Sequence, residues 1–164
     1  MRHIRPLDPA SAAEIDLVAQ RMRATLIEVE GEAVGEALYT LDWLRERVRQ
    51  HLVPDAAVWL LEVDGAIAGH TIVRRETDGA GHAFGLISTT YVLPAVRRQG
   101  HAAALLAAGE AWMQTQDLAR SATWTSVTNT ALIALYTAQG YREAERGTHP
   151  QTGTTMVRLA RALA

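Results

Sequence analysis

The segment Thr90-Tyr91-Val92-Leu93-Pro94-Ala95-Val96-Arg97-Arg98-Gln99-Gly100-His101-Ala102 reads as a strand stopped by proline, an arginine-rich turn, and a helix opening at small residues. The first N–H groups of a helix have no partner within it and carry the positive end of its dipole. A phosphate or diphosphate can accept hydrogen bonds from them. Gly100 and Ala102 lack bulk at that point, so a phosphate could come close to the backbone. Arg97 and Arg98 would add charge at the mouth, with Gln99 and His101 in the same turn. The same residues also fit a plain strand-to-helix turn with solvated arginines.

A second segment, Asn129-Thr130-Ala131-Leu132-Ile133-Ala134-Leu135-Tyr136-Thr137-Ala138-Gln139-Gly140-Tyr141, reads as a helix with Asn129 at its N-cap and Gly140 past its end. Tyr136 stands seven residues after Asn129. That is close to two turns, which puts both on one face about 10.5 Å apart along the axis. Both side chains could therefore reach a single bound molecule. Alternatively Asn129 only caps and Tyr136 only packs.

The first segment resembles the Gln/Arg-x-x-Gly-x-Gly/Ala signature of the GNAT superfamily of acyl-CoA-dependent N-acetyltransferases. Arg97, Gly100 and Ala102 take its three fixed positions. The second resembles the family's Asn-x-x-Ala-x-x-Leu-Tyr-x-x-x-Gly-Phe motif. It departs in having Leu132 where Ala is usual, with Ala131 and Ala134 around it, and Tyr141 for the final Phe. The motif match is confined to residues 90–141.

The resemblance implies acetyl-CoA as cosubstrate, bound by Tyr91, Val92, Arg97, Arg98, Gln99, Gly100, His101, Ala102, Asn129 and Tyr136. It implies a bulge in the strand before the phosphate turn. Backbone groups of Tyr91 and Val92 would then bind the pantetheine and the acetyl carbonyl, the Val92 N–H being the oxyanion donor. Tyr136 would protonate the departing thiolate. The attacking group is normally an amine, which must lose a proton first, since a free alkylamine has a pKa near about 10.4. Some members carry a Glu early in that strand, but Phe84-Gly85-Leu86-Ile87-Ser88-Thr89-Thr90 holds no carboxylate. His82, His70, Glu76 and His149 are substitutes, directly or through water. The amine could also arrive neutral.

These residues need elements to position them. Ser11, with Glu14 three residues on, resembles a capping box and starts a helix over 12–29. Gly31 to Gly35 should break it, and a second helix should run over 40–52, stopped by Pro54. Strands are expected over 58–63 and 67–75 around an Asp64-Gly65 hairpin turn, and over 82–93. A helix over 100–115 follows, in which Gly109 suggests close approach to a strand. A strand over 122–128, a helix over 129–139 and strands over 141–145 and 154–159 complete the chain. The expectation is an α/β fold of α+β type in one domain over 1–164. By resemblance it is a GNAT-like fold: a mixed, mostly antiparallel sheet, splayed at its centre, with flanking helices.

Composition narrows the function. All 16 basic residues are Arg, so chemistry that needs Lys, such as pyridoxal Schiff bases or Walker-type phosphate loops, is excluded. The absence of Cys removes thiolate nucleophiles and sulfur metal sites. The His residues show no metal-ligand spacing, so no metal is expected. A formal charge of -2 gives no attraction to nucleic acid or anionic membrane. No apolar run reaches membrane length and the N-terminus shows no signal peptide, so a cytoplasmic monomer or homodimer is expected. Gly79-Ala80-Gly81-His82-Ala83-Phe84-Gly85 lacks the third glycine of a dinucleotide fingerprint and precedes a strand, so it is set aside.

Between Arg23 and Arg45 there is no basic residue, while Glu28, Glu30, Glu32, Glu36 and Asp42 fall in that stretch. In the resembling family this connection borders the acceptor entrance. It suits a cationic amine acceptor, or simply a solvated acidic surface. Two functions from different classes are open: transfer of an acetyl group to a primary amine in a ternary complex, and a non-catalytic acyl-CoA sensor or interaction module. The presence of both Asn129 and Tyr136 favours the first.

Overall fold

The computed structural model describes residues 1–163. Helix α1, Ala12–Glu30, starts where Ser11 accepts the Glu14 N–H at 3.2 Å. The Glu14 carboxylate does not complete the capping box. It accepts the Asp8 N–H at 3.0 Å and the Arg5 guanidinium at 2.8 Å. Gly31, at φ 90°, ends the helix. The expected break to Gly35 is instead a second helix, α2, Glu32–Leu38. Gly35 lies inside it because α2 docks flush on α1. A Cβ there would stand 2.5 Å from the Ile27 N and 2.6 Å from its Cα. Gly35→Ala should therefore lower stability by about 1–3 kcal/mol as α2 is pushed off α1. A denaturant midpoint equal to wild type would show that α2 docks loosely.

Helix α3, Leu41–Arg49, is capped by Thr40 and buries Leu44 and Val48. An edge strand not foreseen from the sequence, β1 (Arg2–Pro6), pairs antiparallel with β2 (Ala56–Val63). The Asp64-Gly65 turn has φ of 51° and 84°, as a type I′ hairpin requires, and leads into β3, Ala66–Thr77. Strand β4, Ala83–Val92, is followed by a short 3-10 turn over Pro94–Val96 and by α4, His101–Thr115. Then come β5 (Arg120–Ser126), α5 (Thr130–Ala138), β6 (Arg142–Thr148) and β7 (Thr155–Ala162).

All seven strands join one sheet in the order β1-β2-β3-β4-β5-β7-β6. Only β4 and β5 run parallel. The sheet is covered on both faces, and successive residues show it. Ile72 packs with α1 and α3 through Ile15, Val18, Leu44 and Val48, while Val73 packs with α4 and α5 through Leu106, Met113 and Tyr136. Gly109 lets α4 close on β3, since a Cβ there would meet Val73 Cγ1 at 3.0 Å.

Candidate active site

The parallel pairing of β4 with β5 lasts three residues, Gly85–Ile87 against Ser121–Thr123. At its end the Thr123 hydroxyl donates to the Ile87 carbonyl at 2.8 Å. Beyond that point β4 is paired only with β3. The β3–β4 register steps from Ile72↔Thr89 to Val73↔Ile87, which leaves Ser88 as the extra residue of a bulge. The resemblance placed this irregularity at the strand end, with Tyr91 and Val92; it lies inside the strand instead. Its consequence still reaches them. The Leu93 N–H donates to the Ala68 carbonyl at 2.8 Å, and Tyr91 stands opposite His70. Alternation along an antiparallel pair therefore turns the N–H groups of Thr90 and Val92 away from β3, into the wedge that β5 has vacated.

A cavity of about 660 Å³ fills this wedge. One end of it is the turn before α4. Arg98 and Gly100 both adopt left-handed φ, 63° and 81°, a conformation that costs a non-glycine residue energy and recurs at functional sites. Ser11, Thr40 and Asn129 cap their helices with side chains, whereas no side chain caps α4. Gly100, His101, Ala102 and Ala103 line the cavity, so the unpartnered N–H groups of the first turn open onto it. This is a fit for a diphosphate. Arg98 is exposed there and forms no ion pair among the described residues.

Other turn residues do something different from the expectation. Arg97 lines the cavity, but its guanidinium binds both Glu28 carboxylate oxygens at 2.8 Å and its Nε donates to the Val92 carbonyl at 2.7 Å. It also lies 5.6 Å from the Tyr91 ring centre. Arg97 is thus a strut between α1 and the end of β4, and its charge is already met. The imidazole of His101 is buried, with neither ring nitrogen partnered. Gln99 is exposed and is not part of the lining.

Asn129 lines the cavity while its Oδ1 accepts the Leu132 N–H at 3.4 Å, so it caps as expected. Tyr136 is buried in the wedge. Burial pushes its hydroxyl up to about 12, and the neighbouring Thr90 and Thr123 hydroxyls offset only part of that. It is therefore fully protonated at neutral pH. The ring is set edge-on against Tyr141 at 4.8 Å, and the Tyr141 hydroxyl donates to Glu110 at 2.8 Å and meets the Ser121 hydroxyl at 2.7 Å. Thr90, Thr123 and Ser88 escaped sequence reasoning; a lone hydroxyl in a strand carries no spacing signal.

Opposite the phosphate turn, α1 and α2 meet the loop between β6 and β7. Glu30 accepts the Thr154 hydroxyl at 2.9 Å, and the Tyr39 hydroxyl donates to Gln151 at 2.7 Å. Three of the four base candidates lie elsewhere. His82 is exposed just before β4, beside Asp78, at the end of the strand away from the cavity. Glu76 is bound to Arg74 at 2.6 Å. His70 is wholly buried behind Tyr91. His149 does line the cavity, but its Nδ1 accepts the N–H groups of Gln151 and Thr152 at 3.2 and 3.3 Å. Its lone pair is therefore taken.

His70 has a further consequence. Burial, and secondarily Arg21, push its imidazole down to about 3. The unfolded chain takes up that proton below about 6.5 and the folded chain does not, so stability is lost as pH falls. Between pH 7 and 5 the expected loss is about 2 kcal/mol. Thermal scans at the two pH values should show it, and His70→Leu should remove it; the same drop in the variant would assign it to another group.

The model of the acetyltransferase (GNAT) family matches residues 19–141. The chain belongs to the GNAT family. Solved structures of the same fold include the NatC complex bound to Gag peptide and CoA, with TM-score 0.80 and 16% identity over 99% of both chains. The ribosomal-protein-S18-alanine N-acetyltransferase of Escherichia coli matches at 0.73 and 17%, over 100% of this chain and 95% of that one. A putative acetyltransferase from Salmonella typhimurium with its cofactor acetyl-CoA matches at 0.76 and 15%, over 100% and 95%. No curated protein sequence matches significantly. Among the described residues of this GNAT chain no three His, Asp or Glu side chains gather in a metal-binding group, and no helix is long and apolar enough to cross a membrane.

Proposed function

We propose that this GNAT chain transfers the acetyl group of acetyl-CoA to a primary amine by direct attack in a ternary complex. One observation carries the reading: the β4–β5 wedge brings a free Val92 N–H and the protonated Tyr136 hydroxyl to a single cavity whose other end is the uncapped start of α4. The α4 N–H groups and Arg98 hold the diphosphate, and Asn129 borders the pantetheine arm. The amine first gives its extra proton to water, and its neutral nitrogen then attacks the thioester carbon. The carbonyl oxygen takes up the electron pair and accepts the Val92 N–H. Collapse breaks the carbon–sulfur bond, and Tyr136 gives the sulfur its proton. The nitrogen's surplus proton leaves to water, and solvent returns a proton to Tyr136. Initial rates over both substrates should give intersecting double-reciprocal lines. Parallel lines would mean an acetyl-enzyme intermediate and overturn direct attack.

The acceptor is a cationic amine of a small molecule or peptide. The similar structures named for a Gag peptide and for a ribosomal-protein alanine make a peptide end a natural acceptor. Of the acidic residues ahead of Arg45, Glu28 is bound by Arg97 and Asp42 by Arg45. The carboxylates of Glu30, which lines the cavity, and of Glu32 and Glu36 on the neighbouring α2 form no ion pair among the described residues, so they leave this side of the chain negative and able to draw in a cation. Accordingly kcat/KM for a cationic acceptor should fall as salt rises, and the double variant Glu30→Gln, Glu32→Gln should flatten that slope. An identical salt slope for a neutral acceptor would remove the steering.

A further inference from the structure

The acceptor end of the cavity holds two groups with no counterpart in the chain. On β5, Thr123 and Thr125 are buried while Trp124 between them is 39% exposed. Trp124 lines the cavity, and its indole edge reaches β6 at Gly147, where a Cβ would stand 3.6 Å from its Cη2. No cation lies over this ring among the described residues; the cation–π contact present is Arg97 on Tyr91. Arg158, opposite Trp124 on β7, is bound to Glu145 at 2.7 Å. The second group is Glu30. It lines the same cavity, accepts only the Thr154 hydroxyl, and has no ion pair among the described residues. Thr154 immediately precedes β7, whose Met156 and Arg158 pair with Ser126 and Trp124. Glu30 and Trp124 thus line the same cavity, linked through the start of β7.

The other charges there are spent. Arg97 and Glu28 neutralise each other, as do Arg158 and Glu145, and Arg98 stands at the cofactor end. An apolar occupant would take water from the Glu30 carboxylate and give nothing back. An alkylammonium or guanidinium would satisfy the carboxylate and place its charge on the indole face.

We infer that Trp124 and Glu30 bind a second, non-reacting cation of the acceptor, so that the preferred substrate carries a primary amine that attacks and a separate positive group that anchors it. This rests on the proposed amine acetylation and adds what the acceptor must look like.

The probes are 1,5-diaminopentane and pentylamine, equal in length and different in the second charge. Wild type should show a higher kcat/KM for the diamine. Trp124→Leu and Glu30→Gln should each cut that preference about 2- to 30-fold, while Trp124→Phe keeps most of it. Retention of the acetyl-CoA thermal shift verifies that each variant is folded. A preference that survives Trp124→Leu unchanged, or no preference in wild type, overturns the anchor while leaving amine acetylation standing. Should neither amine release thiol, acetylation itself fails. The anchor is then read by calorimetry in the presence of CoA: diamine binding that Trp124→Leu abolishes supports it, and no diamine binding overturns it.

Discussion

Replacing Tyr136 with Phe should lower kcat by about 10² to 10⁴, the usual worth of general acid assistance, and change acetyl-CoA affinity far less. The hydroxyl's task arises only as the carbon–sulfur bond breaks, so its removal acts on the transition state and not on binding. The surroundings suit that task. Burial among Thr90, Thr123 and the Tyr141 ring keeps the proton on the oxygen up to about pH 12. Turnover should therefore show no alkaline loss from this group until the pH approaches that value. A kcat within about twofold of wild type would reduce Tyr136 to a packing residue.

Gly100→Glu should abolish the stabilisation that acetyl-CoA gives the wild type. A ligand at a hundredfold excess over its Kd raises stability by about 2.7 kcal/mol, which a thermal shift reads directly. The variant puts a carboxylate where the diphosphate is expected. Space alone does not forbid the side chain, because a Cβ at Gly100 meets only Arg2 Nη1, at 3.7 Å. The φ of 81° does add backbone strain. Gly100→Asn separates the two effects, since Asn tolerates the left-handed region. Asn should keep the shift and Glu should lose it. Loss in both would point to strain at the turn and not to charge.

The order of most elements was legible in the sequence because their signals are local. Asp64-Gly65 marks its hairpin, Ser11 and Asn129 mark their helix starts, and Gly109 marks the approach of α4 to β3. What escaped depends on partners far along the chain. Strand β1 reads Arg-His-Ile-Arg-Pro and has no apolar alternation; it is a strand because β2 offers it an edge. Gly35 looks like a helix breaker until Ile27 is seen beneath it. The bulge at Ser88 is a matter of register between β3 and β4, which no single segment encodes. Within the site, residue types were readable and their commitments were not. Arg97 sits at the expected position, yet Glu28, on a helix 69 residues away in sequence, takes its charge. His149 faces the cavity, yet its own turn occupies the nitrogen a base would need.

With water as the acceptor of the amine's proton, catalysis is the point to test. The decisive measurement is release of free CoA thiol from acetyl-CoA across a panel of primary amines, with the product's mass recorded in the same reaction. Acetyl transfer predicts thiol release that depends on the amine and equals the N-acetylated product formed. Tight binding of acetyl-CoA with no thiol released by any amine would contradict the account and leave the chain a sensor of acyl-CoA.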